Sequence, residues 1–329
     1  MLHSIRVLAA VLALATVVFG QQQAKSSYFR VGNQQDATTK TQFGVALMGG
    51  GTDIDEAFQW MCSKSGGGDF LVIRATGDDD YNPYIAKLCH ENSVATLIIP
   101  SREAAMDPTV AQTISKAEAL FISGGDQSNY VKFWKGTPVE DAINKLIKRG
   151  VPVGGTSAGL AVLGQFSFSA MNDTAYSKDT LENPFNDRVT IATNFLRVPH
   201  MAETITDTHF VKRDRQGRFL VFMGRILTDH MARQVRGIAF DERSAGLMEP
   251  DGTLKVVGTG KGGYFYRPTH APEVCAPGKP LTFRGIDVYR AATGATFDLA
   301  QWKGDGGKSY TLNVVEGNVT TTQSDGAVY

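Results

Sequence analysis

Gly155-Thr156-Ser157-Ala158-Gly159 has the form G-x-S-x-G; an apolar run leads into it and Ala158 to Leu163 can begin a helix. On such a strand-to-helix bend a serine hydroxyl stands clear of the chain. It also lies beside the free N–H groups of the next turn, that of Ala158 above all, which can receive the negative oxygen formed when an acyl group is attacked. A serine hydroxyl is a weak nucleophile until a base takes its proton, and that base needs a third group to orient it. Two other uses of a glycine-rich turn fail on spacing. A phosphate cradle requires G-x-x-x-x-G-K-[ST], and no Lys lies near Ser157; a dinucleotide turn requires G-x-G-x-x-G, which Gly49-Gly50-Gly51 does not supply. A turn that uses glycine for close packing alone remains open.

Six histidines are available as the base. His3 lies in the apolar N-terminal segment and His90 in a helical run beside Cys89; His200 follows Pro199, and His230 ends the Leu220–Asp229 run, where a cationic cap accounts for it. His209 ends the strand-like Ile205-Thr206-Asp207-Thr208 and precedes an arginine-rich helix start, which places it at a strand end as Ser157 is.

The elements that must position these two residues follow from periodicity. Phe43–Met48, Phe70–Ala75, Val94–Pro100, Ala119–Ser123 and Val151–Val153 are short apolar runs of the kind buried on both faces of a sheet. Helical patterns separate them. The clearest is Pro138–Arg149, with Pro at its start, Lys148 and Arg149 in its last turn and Gly150 beyond. This alternation predicts an α/β fold with a mainly parallel sheet, layered between helices, whose strand ends collect ligands. The ends here carry Gly49-Gly50-Gly51, Asp78-Asp79-Asp80, Gly124-Gly125-Asp126-Gln127 and the Ser157 turn, which are expected to converge on one cleft. After residue 235 short β-like runs take over, including Thr253–Gly258 and Gly262–Arg267. Four segments are expected: 1–20, 21–42 as a flexible polar leader, 43–270 as the catalytic α/β body, and 271–329 as a β-rich extension of the same domain.

With 42% hydrophobic residues in 329, the chain can bury a large core. Lys+Arg and Asp+Glu balance at 33 each, so no global field points to nucleic acid. His3 and Arg6, the apolar Val7–Phe19 and the small residues Val18 and Gly20 read as a signal peptide cut before Gln21, which predicts secretion or periplasmic export and no membrane association after cleavage. The apolar run is too short to span a bilayer. Cys62, Cys89 and Cys275 permit one disulfide and one leftover thiol, with the pairing open. Asn172-Asp173-Thr174 and Asn318-Val319-Thr320 are glycosylation sequons.

Taken together in order, Gly124-Gly125-Asp126-Gln127, Gly155-Thr156-Ser157-Ala158-Gly159 and Asp207-Thr208-His209-Phe210, with the arginines of the run to Arg218, resemble the cyanophycinases. These are serine peptidases related to aspartyl dipeptidase, similar in fold to class I glutamine amidotransferases. The resemblance covers about residues 43–267. It implies Ser157 as nucleophile, His209 as base, and Gly124, Gly125, Asp126, Gln127 and Ala158 around the oxyanion and substrate. It also implies an acidic third member between Ser157 and His209, for which Glu182 is taken over Asp173, Asp179 and Asp187. Thr208, Arg213 and Arg218 are implied as substrate contacts, Arg213 or Arg218 meeting a carboxylate and the Asp78–Asp80 run a guanidinium.

The implied substrate is a peptide or polymer of aspartyl units, cut through an acyl-enzyme. No cofactor or metal is called for, and homodimers are common in that family. One position departs from the pattern: Thr208 stands where the family has Gln, and it is shorter and offers no amide. Two other functions compete, an α/β-hydrolase-type esterase and a catalytically silent binding protein of the same fold. The first lacks an HGGG-type oxyanion motif and has an unusually short interval from Ser157 to His209.

Overall fold

A computed structural model describes residues 25–329; the expected signal segment lies outside the described residues. Five parallel strands form the centre of a ten-stranded sheet, in the order Ser93–Ile98, Asp69–Arg74, Ala119–Ile122, Val153–Thr156, Val45–Met48. Successive residues of a strand point to opposite faces, so both faces must be covered. In Val45–Met48, Val45 and Leu47 join one core with Ile143 and Leu146 of helix Pro138–Arg149; Ala46 and Met48 join another with Phe58 and Met61 of helix Asp55–Ser65. Helix Pro138–Arg149 has the bounds its end signals predict. The Thr137 hydroxyl accepts from the Val139 N–H, and Gly150 closes the helix at φ 85°.

Antiparallel strands extend the sheet at both edges. Ser27–Gly32 pairs with Ser93–Ile98, so part of the expected flexible leader is an ordered edge strand. Its residues are mostly exposed and lack an alternating apolar face. What holds it is strand pairing, together with Arg30 on Asp69 at 3.0 Å. On the other side Ser244–Met248 pairs with Val45–Met48, followed by Thr253–Gly258, Thr296–Asp298 and Lys303–Asp305.

A second sheet of eight strands, mostly antiparallel, contains Thr204–Asp207 in parallel register with Arg236–Phe240. Helix Gln216–Thr228 packs Phe219, Phe222 and Met223 on it. The strands after residue 271 are divided between the sheets. Phe283–Ala291, Lys308–Val315 and Asn318–Thr321 lie in the eight-stranded sheet, Thr296–Asp298 and Lys303–Asp305 in the other. At the end of the chain Tyr329 packs edge-on against Phe210; its hydroxyl accepts from the Gln216 N–H and donates to Asp214. Among the described residues no helix is long and apolar enough to cross a membrane.

Cys62 and Cys89 are joined, leaving Cys275 as the free thiol. The bridge ties helix Asp55–Ser65 to the residue after helix Tyr81–Leu88 and closes 27 residues of chain. Loop-closure entropy gives such a bridge about 3 kcal/mol. The Cys62→Ala/Cys89→Ala variant is therefore expected to unfold at clearly lower denaturant, with Cys275→Ala close to wild type. An unchanged midpoint in the double variant would show that the bridge contributes nothing.

Candidate active site

Ser157 sits between strand Val153–Thr156 and the short helix Ala158–Ala161, with φ 53° and ψ −116°. A non-glycine residue in this region is strained by roughly 1–3 kcal/mol, and its neighbours must hold it there. The two glycines of the motif make that geometry available. A Cβ on Gly155 would stand 2.5 Å from the Gly159 carbonyl carbon, and one on Gly159 would stand 1.9 Å from the Ile122 carbonyl oxygen. The bend therefore closes onto the neighbouring strand end with no room for a side chain. Ser157 N–H also continues the sheet pairing, donating to the Met48 carbonyl at 3.2 Å.

His209 follows strand Thr204–Asp207 at φ 47°, and its N–H donates to the Gly49 carbonyl at 2.8 Å. Its ring lies against Gly50, where a Cβ would come within 2.5 Å of Cε1. Nε2 is 2.7 Å from Ser157 Oγ, and Nδ1 is 2.7 Å from Glu242 Oε1. Serine, imidazole and carboxylate thus form one hydrogen-bonded line. Burial lowers the pKa of His209 below the usual 6.5; the bond to Glu242 opposes this, and the charges of Arg213 and Arg215 add to it. A neutral imidazole can accept the serine proton. The bond from His209, with nearby cations, holds Glu242 below the usual carboxylate range, so it remains the anion that fixes the ring.

The carboxylate on His209 is Glu242 and not Glu182. Glu182 ends helix Ser177–Glu182 and is exposed on a separate groove with Lys178 and Gln216. Asp173, Asp179 and Asp187 are likewise exposed, and none bonds to the imidazole; Asp173 lies 4.0 Å from Arg188. Glu242 comes after the histidine in the chain, on the turn between strands Arg236–Phe240 and Ser244–Met248. The pairing of Arg236–Phe240 with strand Thr204–Asp207, which leads into His209, brings it there. The pattern Phe240-Asp241-Glu242, an acidic pair directly after an apolar strand, is the signal that marks it.

The Gly124–Gly125 loop reaches the serine: a Cβ on Gly124 would stand 3.5 Å from Ser157 Cβ. Gly125 has φ 147°, and the Tyr130 hydroxyl lies 3.0 Å from the Gly124 carbonyl, which fixes the loop. Asp126 and Gln127 have structural contacts. Asp126 caps helix Gln127–Trp134 through the Ser128 N–H, and Gln127 Nε2 donates to the Phe168 carbonyl at 3.3 Å.

Thr208 and Arg218 are both buried, and Arg218 reaches only the base of a groove that it shares with Arg213 and Arg215. Arg218 is buried against the stacked rings of Phe168 and Phe222 and donates from two nitrogens to Asp207, at 2.8 and 2.6 Å. Thr208 Oγ1 accepts from Arg215, which also approaches Asp207. Burial would raise the pKa of Asp207, but the two guanidiniums and the Thr208 N–H outweigh it and hold the carboxylate charged. Arg213 is the exposed member of the group, 3.9 Å from Glu242. Of the Asp78–Asp80 run, Asp78 meets the guanidinium of Arg74 at 3.6 Å.

The sequence model of Peptidase family S51 matches residues 46–222, more than half of the chain. The chain belongs to peptidase family S51. It is 30% identical over 214 residues to the cyanophycinase of Trichormus variabilis and 26% identical over 227 residues to that of Synechococcus elongatus. These matches cover 63% and 66% of this chain and 66% of each relative, just under two thirds of their length. The crystal structure of a peptidase from an acI-B1 actinobacterium superposes with a TM-score of 0.50 at 15% identity, over 85% of this chain and 97% of that one, and shows the shared fold. The family match ends before Glu242, so the carboxylate in the line lies outside it.

The steric demand at Gly159 sets a test of the bend. Gly159→Ala must displace backbone and is expected to cost roughly 2–3 kcal/mol. Gly124→Ala meets its nearest atom at ordinary contact distance and is expected to cost well under about 1 kcal/mol. Equal denaturation midpoints for the two variants would contradict this packing.

Proposed function

We propose that the protein is a serine peptidase that cleaves peptide bonds at β-linked aspartyl units. The carrying observation is the line Ser157–His209–Glu242, with both contacts at 2.7 Å. In the first step His209 Nε2 takes the Ser157 proton as Oγ attacks the carbonyl carbon; the tetrahedral oxyanion then collapses, His209 returns the proton to the leaving amine, and an acyl-enzyme remains. Water repeats the sequence and frees the acid. Glu242 keeps Nδ1 protonated, which leaves Nε2 as the acceptor.

The N–H groups of Ala158 and the Gly124–Gly125 loop are the oxyanion donors in this reading. Two observations support the loop: its closeness to Ser157, and the fixing of the Gly124 carbonyl by Tyr130, which turns the Gly125 N–H of the same planar peptide the opposite way. The aspartyl substrate rests on the family and on relatives named as cyanophycinases. Export is part of the same proposal, supported by the apolar N-terminal run and the Cys62–Cys89 bridge, which forms in oxidising compartments.

Labelling with a fluorophosphonate followed by peptide mapping is expected to modify Ser157; an unmodified Ser157 in folded protein would sink the proposal. With an isoaspartyl peptide as substrate, Glu242→Gln is expected to lower kcat roughly 10³-fold or more, while Glu182→Gln stays near wild type. The base works in its neutral form and its pKa is depressed, so kcat/KM is expected to fall only as pH drops below the ordinary histidine range near 6.5. An acid limb above that value would contradict the assignment of His209.

A further inference from the structure

A cleft of about 820 Å³ opens at Glu242, lined among others by Gly51, Lys212, Asp241, Arg243 and Lys261. Of its five charged lining residues two are carboxylates, and the three exposed ones are all cations. Lys212, Arg243 and Lys261 are exposed, and among the described residues none has a side-chain hydrogen bond or an ion-pair partner. The two carboxylates in its wall are already engaged. Asp241 is buried and accepts from the N–H groups of Val211 and Lys212 at 3.0 and 2.9 Å, and Glu242 is held by His209 with Arg213 at 3.9 Å. The chain as a whole carries equal numbers of acidic and basic residues, so this concentration is local. Cations grouped in a concave wall within a Debye length of about 8 Å reinforce one another and concentrate anions.

The cleft lies beside the Ser157–His209–Glu242 line and shares Glu242 with it. Glu242 is one imidazole and two hydrogen bonds from Ser157 Oγ, so the residues flanking a bond held at Ser157 reach its mouth. Gly51, at φ 78°, forms part of the floor; a Cβ there would stand 3.0 Å from that of Glu242. On the other side of His209, Arg215 and Arg218 are committed to Asp207 and Thr208. Arg213 already approaches Glu242, so the cations that this side leaves without a side-chain hydrogen bond or ion pair are Lys212, Arg243 and Lys261.

We propose that this cleft is an extended subsite for an acidic peptide: the substrate carries free carboxylates on the residues flanking the scissile β-aspartyl bond. This rests on the peptidase reading above. Lysine and arginine at the rim bind such carboxylates as charges in water, which gives selection that salt weakens.

The test uses three isoaspartyl peptides that differ only in flanking residues: Asp, Asn or Lys. In wild type, kcat/KM for the Asp-flanked peptide is expected to exceed that for the Asn-flanked one about tenfold at low salt, with the ratio collapsing at high salt. In Lys212→Gln/Lys261→Gln that ratio is expected to fall to near one, through KM. Equal rates on all three peptides, or preference for Lys flanks, would overturn the proposal. Binding to Ser157→Ala, measured by calorimetry, decides the subsite without turnover. Tighter binding of the Asp-flanked peptide supports it; equal binding of all three, or of inorganic tripolyphosphate as tightly as the Asp-flanked peptide, overturns it. Failure of wild type to cut any peptide counts against the peptidase reading, and the binding measurement still decides the cleft.

Discussion

The carboxylate of Asp207, fully enclosed and gripped by two nitrogens of Arg218, anchors the residues that follow it. It ends a strand of the eight-stranded sheet and precedes His209 by two residues. Removing one partner of a buried ion pair leaves an uncompensated charge, at a cost of about 3–5 kcal/mol. The pair therefore fixes the direction in which the chain leaves the strand. From there Thr208 is drawn to Arg215, His209 is turned into the left-handed region, and its ring is laid on Gly50. The imidazole has little freedom of its own; it is held by Gly49 from the backbone side and by Glu242 at Nδ1.

That arrangement also changes how the arginines of the motif are read. The family resemblance implies Arg213 and Arg218 as substrate contacts, but a helix start does not say which of its positions turn inward. Arg218 is inside, stacked with Phe168 and Phe222, and only Arg213 remains open to solvent beside the site. Thr208, in the place of a longer amide-bearing residue, fits the same logic: its hydroxyl serves the ion-pair network.

What the sequence reveals divides along the range of the interactions involved. Helix Pro138–Arg149 is legible to the residue because its caps are local, and the central parallel strands are legible because burial on both faces makes them uniformly apolar. Ser157 and His209 stand out because the groups around each lie within a few positions of it. Glu242 is not legible in this way. It reaches His209 through the pairing of two strands about thirty residues apart, and the acidic pair after Phe240 marks a strand end without recording which strand it pairs with. The edge strand Ser27–Gly32 is hidden for another reason: with both faces wet it has no apolar alternation, and it is held by backbone pairing and by the contact of Arg30 with Asp69. Three cysteines leave their pairing undetermined until the helix that carries Cys62 is packed against the end of the helix that precedes Cys89.

The turn that carries Glu242 leaves one sheet at Phe240 and enters the other at Ser244. Ser157 belongs to the ten-stranded sheet, His209 to the eight-stranded sheet, and Glu242 to the seam between them. A slip of one sheet against the other by a fraction of an ångström would stretch both contacts of the imidazole while leaving each hydrophobic core intact. The Ser157–His209–Glu242 line is thus a finer gauge of how the two sheets are seated than any measure of their folding, and substitutions far from the cleft that loosen the seam would break it before they unfold the protein.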